Sequence, residues 1–222
     1  MPVRKIPRNY RNVTGQVASN DRETSAAFES SLERDFHIIL DFDLNVLRHE
    51  DQPVTIEYVD ESGKNRKYTP DVLVTYRKDI APAKDMKPWL CEVKYSNDIV
   101  NNIATYAPKF KAGREYARSQ EWEFRIMTEH LIRTPYLDNV KFLRDYRGLP
   151  SNGDFIDLIM NALYEMRETD PEMLLLAISA DKWKRAEVMP YLWNLISNRR
   201  IGIDLRQPLK MRSRIWYLDT RY

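Results

Sequence analysis

Tyr68-Thr69-Pro70-Asp71-Val72-Leu73-Val74-Thr75-Tyr76, then Trp89-Leu90-Cys91-Glu92-Val93-Lys94, is the stretch on which the fold turns. Both runs have strand character. Side chains of a strand alternate, so Glu92 and Lys94 share one face while Trp89, Cys91 and Val93 take the other, apolar face. Residues two apart stand roughly 7 Å from each other along that face. Asp71 opens the run Val72-Leu73-Val74-Thr75-Tyr76, twenty-one residues before Glu92, and offers a second carboxylate at the same point. Two carboxylates beside an ammonium suit phosphodiester hydrolysis. A hard cation neutralises charge on the phosphate, and magnesium takes one or two protein carboxylates while keeping several waters. Asp71 and Glu92 are the expected ligands; Lys94 orients or activates the water and stabilises developing charge.

Upstream, residues 24–41 carry Phe28, Leu32, Phe36, Ile39 and Leu40 at helical spacing, which predicts one helix. Glu29 and Glu33 lie four apart on the flank of that stripe, and Glu33 is favoured as a third acid. Glu29 offers a competing alignment, and both acids also suit an ordinary solvated flank.

The order Phe28-Glu29-Ser30-Ser31-Leu32-Glu33, Leu40-Asp41-Phe42-Asp43, Gln52-Pro53, Tyr68-Thr69-Pro70-Asp71 and Glu92-Val93-Lys94 resembles the TnsA family. These are endonuclease subunits of heteromeric DNA transposons, the CRISPR-associated ones included. The resemblance is strongest over residues 25–95 and only architectural beyond about 150. It implies an α/β restriction-endonuclease-like PD-(D/E)xK core that cuts the 5′ ends of a transposon in cut-and-paste transposition. It also implies Mg2+, with Mn2+ as a substitute, and double-stranded transposon-end DNA as substrate. The implied partners are a DDE transposase subunit, TnsB, and an AAA+ regulator, TnsC. By motif position the family's catalytic acids and lysine fall on Glu33, Asp71, Glu92 and Lys94, with the three acids as metal ligands.

Composition agrees. The 222 residues hold 43% hydrophobic and 31% charged side chains, the balance of a globular protein with room for a medium domain and a small one. No run approaches the eighteen or so apolar residues of a membrane span, and the first residues lack a secretory signal's apolar core. A cytoplasmic location without membrane contact is expected. Arg4, Lys5, Arg8 and Arg11 make a basic arm over residues 1–23, suited to tracking phosphates or to lying inert in solvent. One cysteine excludes an internal disulfide, and Cys91 reads as a small apolar residue on the packed side of its strand. His37, His49 and His130 show no metal-ligand spacing. Six glycines without a phosphate-loop pattern argue against a nucleotide-binding fold.

The tail is electrically polarised. Residues 151–181 carry seven acids against one base, and residues 182–222 carry ten bases against three acids. Such polarity suggests one face for nucleic acid and another for protein. Gly148-Leu149-Pro150-Ser151-Asn152-Gly153 is the expected boundary between a catalytic domain (24–148) and a winged-helix-like domain (149–222). Strands are expected at 55–59 and 66–76 as a hairpin, then 89–94, a helix at 99–119 and a strand at 124–127. Helices follow at 155–166, 171–178 and 182–197, the last broken or kinked near Pro190. Two strands at 201–205 and 214–218 complete a winged-helix order. On that reading Lys182, Lys184 and Arg185 open the recognition helix, while Lys210, Arg212 and Arg214 load the wing. The plainer alternative packs this helix through Trp183, Met189, Leu192 and Trp193 and leaves its bases solvated. Two other functional readings stand beside the transposition enzyme: a free-standing restriction or repair nuclease, and a non-catalytic DNA-binding or assembly module.

Overall fold

The computed structural model describes residues 15–18, 25–28 and 31–219; Glu29 and the basic residues of the arm lie outside them. The chain divides into two compact units, Met1–Ile132 and Arg133–Tyr222.

In the first unit, β1 (Gly15–Ala18) pairs antiparallel with β2 (Ser25–Phe28), and α1 runs Ser31–Phe42. The expected helix from residue 24 is therefore corrected. Residues 25–28 are spent on strand pairing, and the helix starts where the apolar stripe Leu32, Phe36, Leu40 becomes continuous and buried. Next come β3 (Val46–Asp51), β4 (Ile56–Val59), β5 (Asn65–Tyr68) and β6 (Val72–Tyr76). The hairpin expected to return over 66–76 is split. Asn65–Tyr68 pairs with β4, but Val72–Tyr76 joins a different sheet. Pro70, which has no backbone N–H to donate, sits at the break.

That second sheet is built from β3, β6, β7 (Trp89–Val93) and β8 (Glu123–Met127), in that order. The β3–β6 and β6–β7 pairs are antiparallel and β7–β8 is parallel. A parallel pair needs a crossover, which α2 (Ser96–Asn101) and α3 (Ile103–Ser119) supply. Both faces of β7 are covered: Leu90, Cys91, Glu92 and Val93 are all buried. The face of Glu92 is therefore packed as well as the apolar face of Cys91 and Val93. Leu90, on the same side as Glu92, packs with Leu73, Ile56, Ala112 and Ala117 beneath α3. The unit closes with α4 (Glu129–Ile132).

The second unit begins with α5 (Pro135–Arg147), ahead of the glycine-proline run at 148–153. Asn139 of α5 donates to the carbonyls of Leu205 and Gln207, and Asn194 donates to that of Tyr146, so α5 is tied to this unit's own tail. Then come α6 (Gly153–Met166), β9 (Glu168–Thr169), α7 (Pro171–Ile178), α8 (Lys182–Ser197), β10 (Ile201–Ile203) and β11 (Ile215–Tyr217). α6, α7 and α8 each start at a side-chain cap: Asn152 accepts from the Phe155 N–H, Asp170 from Met173 and Asp181 from Trp183. The expected break near Pro190 does not occur, because α8 runs through it. The strands form one antiparallel sheet in the order β10–β11–β9.

Candidate active site

Asp71 stands at the mouth of the pairing between β6 and β7. Its backbone N–H donates to the Cys91 carbonyl (3.0 Å), and its carboxylate Oδ2 accepts from the Val93 N–H (2.7 Å). Strand pairing and this hydrogen bond thus aim the carboxylate at the end of β7. There Lys94 Nζ lies 3.5 Å from Asp71 Oδ2 and 3.5 Å from Glu92 Oε1. Glu92 is 4% exposed, and its other oxygen, Oε2, accepts from the Tyr68 hydroxyl at 2.7 Å. Lys94 is itself fixed through its backbone N–H to the Met127 carbonyl (3.1 Å) of the parallel neighbour.

Glu33 joins this group from α1. It is buried at 7% exposure, and its charge is felt by Asp71, Glu92 and Lys94. The Ser31 and Tyr95 hydroxyls meet at 3.2 Å, linking the first turn of α1 to the residue after Lys94. The four expected residues Glu33, Asp71, Glu92 and Lys94 are therefore brought together. Glu29, the competing acid, lies outside the described residues.

The electrostatics of the group are those of crowded carboxylates. Burial, then Asp71, pushes the Glu33 carboxyl up from 4.5 to about 8, against the pull of Lys94. The same two causes raise Glu92 to about 7, with Lys94 and the Tyr68 hydrogen bond holding it back. Burial alone would lower the Lys94 ammonium, but Asp71, Glu92 and Glu33 outweigh it and hold the ammonium above its ordinary value. Tyr68 is pushed far up by burial and by Glu92, so it remains a neutral donor. Three carboxyls competing for one ammonium form an oxygen-rich, under-neutralised donor set, which fits a hard divalent cation held by Glu33, Asp71 and Glu92.

A second group shares α1 with the first. His37 of α1 and His49 of β3 have ring centroids 5.0 Å apart. With Asp51 they offer donor atoms that all lie within 4.8 Å of one another. The sequence spacing of the histidines gives no sign of this grouping, because folding creates it. His37 and Asp41 are one helical turn apart, His49 and Asp51 are two apart on a strand, and the α1–β3 turn folds the pairs together.

The expected nucleic-acid bases are distributed unevenly. Lys182, Lys184 and Lys210 are exposed. Arg185 instead donates to the Ser179 and Ala180 carbonyls (3.0 and 2.7 Å), closing the end of α7. Arg212 pairs with Glu172 at 3.0 Å, and the Arg214 Nε pairs with Glu168 at 3.1 Å. Basic and acidic segments of the tail therefore partly neutralise each other. Leu192 and Trp193 of α8 are buried, whereas Trp183 is 70% exposed beside Lys182.

Two family profiles match the chain: the TnsA-like endonuclease N-terminal family over residues 43–129, and the TnsA endonuclease C-terminal family over residues 132–205. The chain belongs to the TnsA family. It carries the endonuclease domains of a transposition enzyme, and its class of substrate is DNA. Asp71, Glu92 and Lys94 fall inside the first matched stretch, and Glu33 precedes it. Lys182, Lys184 and Arg185 fall inside the second, whereas Lys210, Arg212 and Arg214 follow it. No curated protein matches the chain significantly. No helix among the described residues is long and apolar enough to cross a membrane.

Proposed function

We propose that this TnsA-family chain hydrolyses the phosphodiester bonds at the 5′ ends of a transposon, using a PD-(D/E)xK site. The observation that carries this reading is the approach of Lys94 Nζ to both Asp71 and Glu92, 3.5 Å each, with Glu33 facing the same point. Glu33, Asp71 and Glu92 hold a divalent cation, Mg2+ by preference with Mn2+ as a substitute. Such an ion supplies charge neutralisation at the phosphate and acidifies its water.

The protein's own groups do the positioning. Tyr68 occupies Glu92 Oε2 and leaves Oε1 facing Lys94. The Val93 N–H fixes one oxygen of Asp71. Lys94 has three donors on Nζ: it orients the attacking water between the carboxylates and stabilises charge as the phosphorus centre expands. After α5, the second unit has the order helix–strand–helix–helix–strand–strand, with β9 on the far side of β11, which supports a winged-helix reading. Lys182, Lys184 and Lys210 are its phosphate contacts. TnsB, cutting the 3′ ends, and TnsC, the AAA+ regulator, are the partners in a cytoplasmic complex.

The test is cleavage of a labelled transposon-end duplex with Mg2+, with and without TnsB. Nicking at the 5′ end that needs TnsB, and that Lys94→Ala reduces roughly 10²–10³-fold, is the expected result. Cleavage by the chain alone would replace it with a free-standing nuclease. Cleavage unchanged by Lys94→Ala would remove the site.

A further inference from the structure

His37, His49, Asp41 and Asp51 gather between α1 and β3, near enough for the Asp51 charge to help raise the Glu33 carboxyl. The side chains of both histidines are almost fully buried, at 2% and 7% exposure, and those of Asp41 and Asp51 are at 14% and 18%. His49 Nε2 lies 3.0 Å from Asp41 Oδ1, and His37 Nε2 lies 3.2 Å from Asp51 Oδ1. The buried Nδ1 of His37 has no hydrogen-bond partner among the described residues. Buried polar nitrogens are ordinarily satisfied, so a buried imidazole with one orphaned nitrogen, its other nitrogen against Asp51 and its ring 5.0 Å from that of His49, is a costly way to build a core. The arrangement is what a metal ion needs.

We propose that His37, His49 and Asp51 bind a zinc-class transition-metal ion, separate from the cation at Glu33, Asp71 and Glu92, which clamps α1 to β3. Two imidazoles and a carboxylate are borderline ligands that suit Zn2+ and its neighbours and are poor for Mg2+. Zinc bonds of about 2.0–2.1 Å set tetrahedral ligand atoms roughly 3.4 Å apart. Donor atoms already within 4.8 Å reach that spacing through side-chain adjustments of about 1 Å. Asp41, against the Nε2 of His49, is the orienting carboxylate that metal-bound imidazoles ordinarily carry.

The position gives the clamp a consequence. His37 lies one helical turn after Glu33 on α1. Asp51 immediately precedes Gln52, whose N–H donates to the Asp71 carbonyl at 2.8 Å. Metal binding therefore fixes the register of the helix acid against the strand that borders the strand acid.

The test uses the full chain, stripped with chelator and dialysed against Zn2+, with bound metal counted by elemental analysis. A parallel sample is the Asp71→Asn/Glu92→Gln double variant, which blanks the carboxylate site. The expected result is one tightly held zinc in both, with a higher melting temperature on zinc addition. Asp41→Asn weakens zinc affinity roughly 10–100-fold, and His49→Gln, folded by far-UV circular dichroism, loses the zinc. Co2+ then gives a tetrahedral d–d absorption that His49→Gln abolishes. Substoichiometric zinc in the unaltered chain overturns the proposal, and this requires no variant to fold. So does zinc that disappears in the double variant but persists in His49→Gln, since that ion would sit on the nuclease carboxylates.

Discussion

Tyr68 shows how much one hydroxyl settles. Its O–H donates to a carboxylate buried beneath α3, and without it Glu92 Oε2 faces the core unsatisfied. Tyr68→Phe is expected to cost about 1–3 kcal/mol of stability, the penalty of an unpartnered buried oxygen, and to weaken divalent-ion binding; urea denaturation and ion titration measure the two. The raised carboxyls of Glu33 and Glu92 set a pH dependence of definite sign. Their folded values, about 8 and about 7, lie above the ordinary 4.5, so the folded chain binds protons more tightly than the unfolded chain. Their contribution to stability is fully present below the unfolded value and is lost as pH rises through the folded values. The melting temperature of the metal-free protein should therefore fall between about pH 5 and about pH 8. Glu33→Gln should flatten that fall. A melting temperature that rises across the window in the metal-free protein would contradict the crowded-carboxylate account.

Strands and helices differ in how openly the sequence declares them. Asp71, Glu92 and Lys94 were legible because alternation along β7 and the proline before β6 are local signals, and local signals survive folding. β3 was not legible: Val46-Leu47-Arg48-His49-Glu50-Asp51 is mostly polar, and its strand form comes from pairing with β6. The histidine group was hidden for the same reason, since it exists only once that pairing is made. α5 carries no comparable signal, because its apolar stripe is short and tertiary packing on α8 supplies what the pattern lacks. β10 offers a test at this scale. Gly202 pairs with Trp216 across β10–β11, and a Cβ there would sit 2.1 Å from the indole nitrogen. Gly202→Ala should cost about 1–3 kcal/mol through displacement of the indole. Gly148→Ala, where a Cβ meets nothing within 4 Å, should stay within about 0.5 kcal/mol. Tryptophan fluorescence during urea unfolding distinguishes them.

At the scale of the molecule, net charge says little and pairing says more. The chain is only +2, yet its basic tail segment is partly spent on Glu168 and Glu172. Lys182 and Lys184 remain exposed at the start of α8. Replacing each with alanine should lower the salt slope of DNA binding by about 1, whereas Arg212→Ala and Arg214→Ala should change it less. The boundary between units also shows where sequence reading ends. A glycine-proline run marks a loop, but whether α5 lies before or after the division depends on which core it packs against. On the proposed function, Asp71 and Glu92 hold the ion on which cleavage depends. The most direct test is Mg2+-dependent nicking of a transposon-end duplex by Asp71→Ala and Glu92→Ala chains assembled with the partner transposase. Complete loss of 5′-end cleavage with unchanged folding and partner binding is the predicted result, and retained cleavage in either variant would contradict it.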